Sequence, residues 1–302
     1  MKVLVAKSAG FCGGVKRAVE LTKQGIPNKK YVLGSLVHNK EVVAELKNMG
    51  IAFSDRPMFD YDEVVISAHG TTSFLYDSIK NQKITDATCQ NVKKIIDIAK
   101  KIDENSLLIM VGDSNHSEVK NVISFAKNAV VLPRDRFDVS VISKIVMPTE
   151  VETSRQERNS ERSLNAGNGI VQSFERKKFD KYYLVYQTTL EDEVANLYFE
   201  ELKKVLGNKL TAFDTRCSSV KRRILESVDI AKQVQLMVVI GDKTSANCNT
   251  IFNECKKYNA NTIFVENEND LPEIDFEIVG LTAGASVSFE TIEKVKNKLE
   301  KC

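Results

Sequence analysis

The chain has 302 residues, of which 42% are hydrophobic and 28% charged, and carries a formal net charge of +2. Its basic residues are scattered rather than striped, which gives no reason to expect nucleic-acid or membrane-surface binding. No apolar run approaches the roughly 18 residues of a membrane-spanning helix.

The N-terminus, MKVLVAKSAGF, offers only the apolar stretch Val3–Ala6 before Lys7. That is too short for the core of a signal peptide, so a cytoplasmic location is expected. Six cysteines in that compartment point to metal or catalysis rather than to disulfides.

In chain order, short Val- and Ile-rich runs at Val3–Ala6, Tyr31–Leu33, Glu63–Ser67, Leu107–Val111, Ala129–Leu132, Tyr182–Tyr186, Met237–Ile240, Thr262–Val265 and Glu277–Leu281 read as buried strands. Charged segments with helical spacing separate them: Val15–Lys23, Val92–Ile102, Glu191–Leu206, Val220–Val234 and Phe289–Leu299. Strands alternating with amphipathic helices predict an α/β architecture with parallel sheets. In such sheets ligands sit beyond the carboxyl ends of the strands. The stretch Pro148–Asn168 is polar and without period, and reads as an exposed insertion or loop with enough Glu and Arg for a helical part.

The informative feature is an internal repeat. Cys12 opens CGGVKRAV, Cys89 opens CQNVKKII and Cys217 opens CSSVKRRI. All fit Cys-x-x-Val-Lys-[Arg/Lys], each after a turn-like segment and before a helical pattern. A cysteine at a helix N-terminus, beside free backbone N–H groups and basic side chains, suits the thiolate that a metal requires. The three lie too far apart for a local ferredoxin or zinc-finger loop. The repeat predicts three pseudo-equivalent α/β lobes around one centre: 1–88, with 282–302 packing back on it, 89–190 and 191–281. A four-iron cluster held by three protein thiolates leaves one iron open to a substrate oxygen. Cys248, Cys255 and Cys302 lack this context and read as ordinary residues.

The three histidines also follow apolar runs: His38 in GSLVHNKEV, His69 in ISAHGTT and His116 in VGDSNHSEV, which also holds Glu118. Gln187-Thr188-Thr189, Thr244-Ser245-Ala246-Asn247 and Ala283-Gly284-Ala285-Ser286 occupy equivalent places. Small residues admit an anion to backbone N–H groups, and hydroxyls, amides and imidazoles add donors. Together they describe a phosphate-sized, donor-lined pocket without a Walker loop or a Gly-x-Gly-x-x-Gly turn.

The stretches AGFCGGVKRAV, VHNKEVV, SAHG, DATC, GDSNHSEV, QTTL, DTRCSSVKRR, TSAN and GLTAGAS, in this order, resemble the LytB family of 4-hydroxy-3-methylbut-2-enyl diphosphate reductases, which close the methylerythritol phosphate route to isoprenoids. The resemblance implies a [4Fe–4S] cluster on Cys12, Cys89 and Cys217. It implies diphosphate binding by His38, His69, Ser245, Asn247 and Ser286. It further implies that His116, Glu118 and Thr188 orient the substrate hydroxyl and deliver protons, and that a ferredoxin- or flavodoxin-type protein supplies electrons. Asp113, Ser117, Gln90, Ala246, Arg216 and Ser219 depart from the family's usual residues, and the stretch between Glu118 and Gln187 is longer than usual. The residues leave three other readings open: a cluster carrier or redox sensor without catalysis, a three-cysteine zinc protein, and a divergent relative acting on another allylic phosphate.

Overall fold

The structure, a computed structural model, describes residues 1–25, 29–37, 39–134, 164–166, 169–171 and 179–301. His38, Cys302 and most of the 148–168 stretch lie outside them. The chain divides into two compact units: Met1–Thr71 with Leu75–Gln90 and Cys217–Cys302, and Thr72–Phe74 with Asn91–Arg216. As the alternation of runs predicts, the strands form three small sheets, parallel for the most part and accompanied by helices.

The first unit holds two four-stranded, all-parallel sheets. One comprises β2 (Lys30–Leu33), β3 (Ala52–Ser54), β4 (Glu63–Ile66) and β5 (Lys83–Asp86), in the order β3-β2-β4-β5. The inner strands β2 and β4 are buried along their whole length, because a parallel sheet has both faces covered. Val32 and Val65 face a core with Ala18 and Leu46, while Tyr31, Leu33, Val64 and Ile66 face another with Ile79. Their register is marked by a buried ion pair, Lys30 Nζ to Glu63 Oε1 at 3.2 Å, at the opening residues of both strands. The other sheet comprises β1 (Lys2–Val5), β12 (Leu236–Ile240), β13 (Thr262–Val265) and β14 (Ile278–Ala283), in the order β1-β14-β12-β13. The first strand of the chain is thus completed by the last.

Helices α1 (Gly13–Lys23), α2 (Lys40–Asn48), α7 (Ser218–Ala231), α8 (Ala246–Tyr258) and α9 (Phe289–Lys301) belong to the first unit. The second unit has a six-stranded sheet, β11-β10-β6-β7-β9-β8. Its strands are β6 (Ser106–Val111), β7 (Ala129–Leu132), β8 (Leu164–Ala166), β9 (Gly169–Val171), β10 (Lys181–Tyr186) and β11 (Leu210–Ala212). β9 runs antiparallel to β7 and β8, so the described part of the polar stretch is a strand rather than a loop. Helices α5 (Ser117–Ile123) and α6 (Asp192–Leu206) belong to this unit, α4 (Gln90–Ala99) begins at its boundary and α3 (Ser73–Ile79) straddles it. Among the described residues no helix is long and apolar enough to cross a membrane.

Candidate functional site

Each described candidate residue of the first unit follows the carboxyl end of a strand, where a parallel sheet leaves loops free to carry function. Cys12 is the N-cap of α1, and its Sγ accepts a hydrogen bond from Val15 N at 3.4 Å. Gly10, at φ +88°, makes the turn before it, and a Cβ there would stand 2.9 Å from Ile292 Cδ1. Cys89 follows β5 and donates its backbone N–H to Ala68 O at 3.0 Å. Cys217 is the N-cap of α7. All three cysteines are half-buried and free of disulfides.

A Cβ built on Gly14 would lie 2.9 Å from Cys89 Sγ and 3.8 Å from Cys12 Sγ. Two sulfurs far apart in sequence therefore face one glycine, and the space beside them exists because Gly14 has no side chain. Among the described residues, no three His, Cys, Asp or Glu side chains converge on a single ion. A multi-iron cluster takes one thiolate per iron and needs no such convergence, so this donor set fits it. Gly14→Ala is expected to lower the iron content of protein purified without air while leaving thermal stability equal or higher. Alanine is the better helix former by about 1 kcal/mol, so loss of iron would report the filled space. Full iron loading would contradict it.

The phosphate-type donors meet the same loops. Cys12 N donates to Ala285 O at 3.2 Å, and Asn39 Nδ2 donates to Ser286 O at 2.9 Å. Asn39 also caps α2, accepting from Val42 N at 3.0 Å, which fixes the residue after His38. Ser245 caps α8. The α8 start packs so closely on the strand exits that a Cβ on Gly241 or Gly284 would fall 2.3 or 2.0 Å from Cys248 Sγ. That packing sets Asn247 Nδ2 3.7 Å from the Gly284 Cβ position. Asn247 is buried, and neither Nδ2 nor Oδ1 has a hydrogen-bond partner among the described residues. Such an amide is costly unless something else completes it. The half-buried His69 lies in the turn after β4, its N–H donating to Ser67 Oγ at 3.3 Å. Thus Cys12, Asn247 and Ser286 lie on segments joined through residues 284–286.

In the second unit, β6 and β10 are neighbours in register, with Val111 opposite Tyr186, so their exit loops run side by side. Gln187 N donates to Val111 O at 2.9 Å, and Gln187 Oε1 accepts from Asp113 N at 2.9 Å. Asp113 uses its own carboxylate to accept Asn115 N at 2.8 Å, so its contribution here is to the turn. His116 caps α5, its Nδ1 accepting from Glu118 N at 3.2 Å. In a neutral ring that contact leaves the proton on Nε2.

Glu118 is buried. Its Oε1 accepts from Thr188 N and its Oε2 pairs with Thr188 Oγ1, both at 2.7 Å. Burial pushes the Glu118 carboxyl above its ordinary value, against the Thr188 hydrogen bonds and the charge of Arg134. Arg134 also bonds Thr189 O and Glu191, holding the loop after Thr188. Gly14, Asn39 and Gln187 were not singled out for these roles from sequence. The first lies two residues after a repeated cysteine, and the other two each stand beside a candidate residue.

Three small, mostly parallel sheets accompanied by helices, with half-buried cysteines at loop–helix junctions, define the class: an α/β protein with its candidate residues on the loops after its strands. A family model described as LytB protein matches residues 3–300, and the chain belongs to that family. A protein of Fusobacterium nucleatum named 4-hydroxy-3-methylbut-2-enyl diphosphate reductase is 34% identical, over 99% of this chain and 34% of its own length. A protein of Clostridium tetani with the same name is 31% identical, over 99% of this chain and 44% of its own length. The chain thus spans less than half of these two relatives. One of Thermoanaerobacter sp., again with that name, is 30% identical and is covered over 96% of its length. A solved structure of (E)-4-hydroxy-3-methyl-but-2-enyl diphosphate reductase, the terminal enzyme of the non-mevalonate pathway, aligns over the whole of both chains with a TM-score of 0.65 and 25% identity. The fold is also that of the E-1-hydroxy-2-methyl-but-2-enyl-4-diphosphate reductase of Plasmodium falciparum, with a TM-score of 0.77 over 98% of this chain and 87% of that one at 22% identity.

Proposed function

We propose that this chain reduces 4-hydroxy-3-methylbut-2-enyl diphosphate to isopentenyl and dimethylallyl diphosphates, the closing step of the methylerythritol phosphate pathway. Two electrons and two protons enter; the allylic C–O bond breaks, water leaves with one proton, and the other proton joins carbon. The observation that carries this reading is the 284–286 loop. It joins the Cys12 turn through Ala285 to the donors at Asn247 and Ser286, so a thiolate centre and an anion pocket share one segment.

Cys12, Cys89 and Cys217 would hold a [4Fe–4S] cluster. When bound, the cluster supplies single electrons and an iron that acts as a Lewis acid on the leaving hydroxyl. Asn247, Ser245, Ser286, His69 and His38 bind the diphosphate, and the Asn247 amide, without a partner among the described residues, gains one there. Glu118, kept toward its neutral form by burial, is the proton source. When Glu118 is protonated, the 2.7 Å contact with Thr188 reverses: Oε2–H donates to Thr188 Oγ1. The hydroxyl hydrogen of Thr188 is then free to point at the substrate oxygen. His116 positions Glu118 by capping its helix. A ferredoxin- or flavodoxin-type protein is the electron donor that this reading implies.

The reading is tested by purification without air, iron and sulfide analysis, and turnover of the diphosphate substrate with a reduced viologen dye. A loaded cluster with no turnover would reject it in favour of a cluster carrier. Asn247→Ala is expected to raise KM about 10- to 100-fold with kcat little changed, the range for a hydrogen bond to a charged group. An unchanged KM would remove Asn247 from the pocket.

A further inference from the structure

The third copy of the cysteine repeat breaks the pattern at one buried position. Six residues after each cysteine stand Ala18, Ile95 and Arg223, and all three are buried. Two copies place an apolar side chain there; the third places a guanidinium. Its Nε donates to Ser8 O at 2.8 Å and its Nη2 to Gly10 O at 2.7 Å, in the segment leading to Cys12. Its Nη1 has no hydrogen-bond partner among the described residues. The nearby Glu226 is taken up by Lys7 N, Ser8 N and Ser8 Oγ, and Arg223 pairs with no carboxylate among the described residues.

A buried cation without an anion is unfavourable, and desolvation pulls the Arg223 pKa down. The groups that oppose this are sulfurs: Cys12 first, then Cys248 and Cys217, with Arg222 acting the other way. Burial pushes the Cys248 thiol up, which keeps it neutral. That leaves Arg223 facing the sulfurs of Cys12 and Cys217, two of the proposed cluster ligands.

We propose that Arg223 is the built-in counter-charge of the iron–sulfur cluster, a positioning residue that holds the Cys12 turn and raises the cluster's reduction potential. The proposal rests on the cluster reading of the three cysteines. Reduction adds one electron to a centre already negative from its thiolates, and a fixed positive charge nearby favours the reduced form.

The test is a dye-mediated potentiometric titration of the full chain loaded with its cluster, alongside iron and sulfide analysis. Arg223→Gln is expected to shift the one-electron reduction equilibrium at least tenfold toward the oxidised form, a fall of about 59 mV. Arg223→Lys keeps the charge and is expected to stay within that tenfold. Glu226→Ala loosens the same segment without removing the cation, so its cluster is expected to titrate like the unmodified one even if less iron is bound. An Arg223→Gln cluster at the unmodified potential overturns the proposal, as does an equal shift in Glu226→Ala. If Arg223→Gln takes up no iron, Arg223→Lys decides: loading at the unmodified potential supports the proposal, and any other result overturns it. An unmodified chain that binds no iron and sulfide rejects the cluster reading itself.

Discussion

Cys89→Ser, purified without air, is expected to hold no stable cluster: iron and sulfide fall to background, the visible absorbance disappears, and turnover falls below detection. Iron–sulfur clusters are bound by soft thiolates, and a serine hydroxyl is a hard, poorly ionised replacement. The position allows little compensation. The backbone of Cys89 is tied to Ala68 O, and its sulfur faces Gly14 across from Cys12. Loss of one of three protein thiolates leaves two irons without one. The metal-free protein should melt close to the unmodified apo chain, because one atom of a half-buried side chain changes. Unchanged iron content and spectrum would remove Cys89 from the ligand set.

Glu118→Gln is expected to keep the cluster and lose about 10²- to 10⁴-fold in kcat, the range for a positioned general acid. Glutamine preserves the hydrogen bonds: its oxygen accepts Thr188 N and its amide donates to Thr188 Oγ1. It has no proton to give up. Near-normal turnover by a loaded variant would exclude Glu118 as the proton source. The same substitution should also separate function from stability. Because the folded state raises the Glu118 pKa above its ordinary 4.5, its stability contribution is complete below that value and is lost as pH rises through the folded pKa. Glutamine cannot ionise. Glu118→Gln should therefore melt with the unmodified apo chain in acid and above it at higher pH, with the gap opening as pH rises above the ordinary 4.5. Coincident melts across that range would mean that burial places no penalty on the carboxylate.

The nine runs read as strands all occur as strands; seven are inner strands, apolar on both faces, and β1 and β13 are sheet edges that are still rich in Val, Ile and Leu. Ala52–Ser54, Lys83–Asp86 and Leu210–Ala212 escaped notice because they are short and at sheet edges, where partial exposure admits polar residues. Helices α2, α3 and α5 are only two to three turns long, too short for a clear periodic pattern. The cysteine repeat was legible because each copy reuses one local solution, a cysteine at the start of a helix. Arg223 was visible as a charge at a repeat position otherwise held by Ala18 and Ile95, but its meaning was not, since the Ser8 and Gly10 carbonyls it binds lie at the other end of the chain.

The sequence by itself thus determined the α/β class, the three cysteines and the set of polar loop residues, all written in local pattern and spacing. Only the tertiary structure decided which of them meet. Cys89 and Cys12 face Gly14, the buried Asn247 amide has no partner among the described residues, and Glu118 bonds Thr188 because β6 and β10 are neighbours. Those contacts join residues far apart along the chain, and no local pattern encodes a distance that only folding closes.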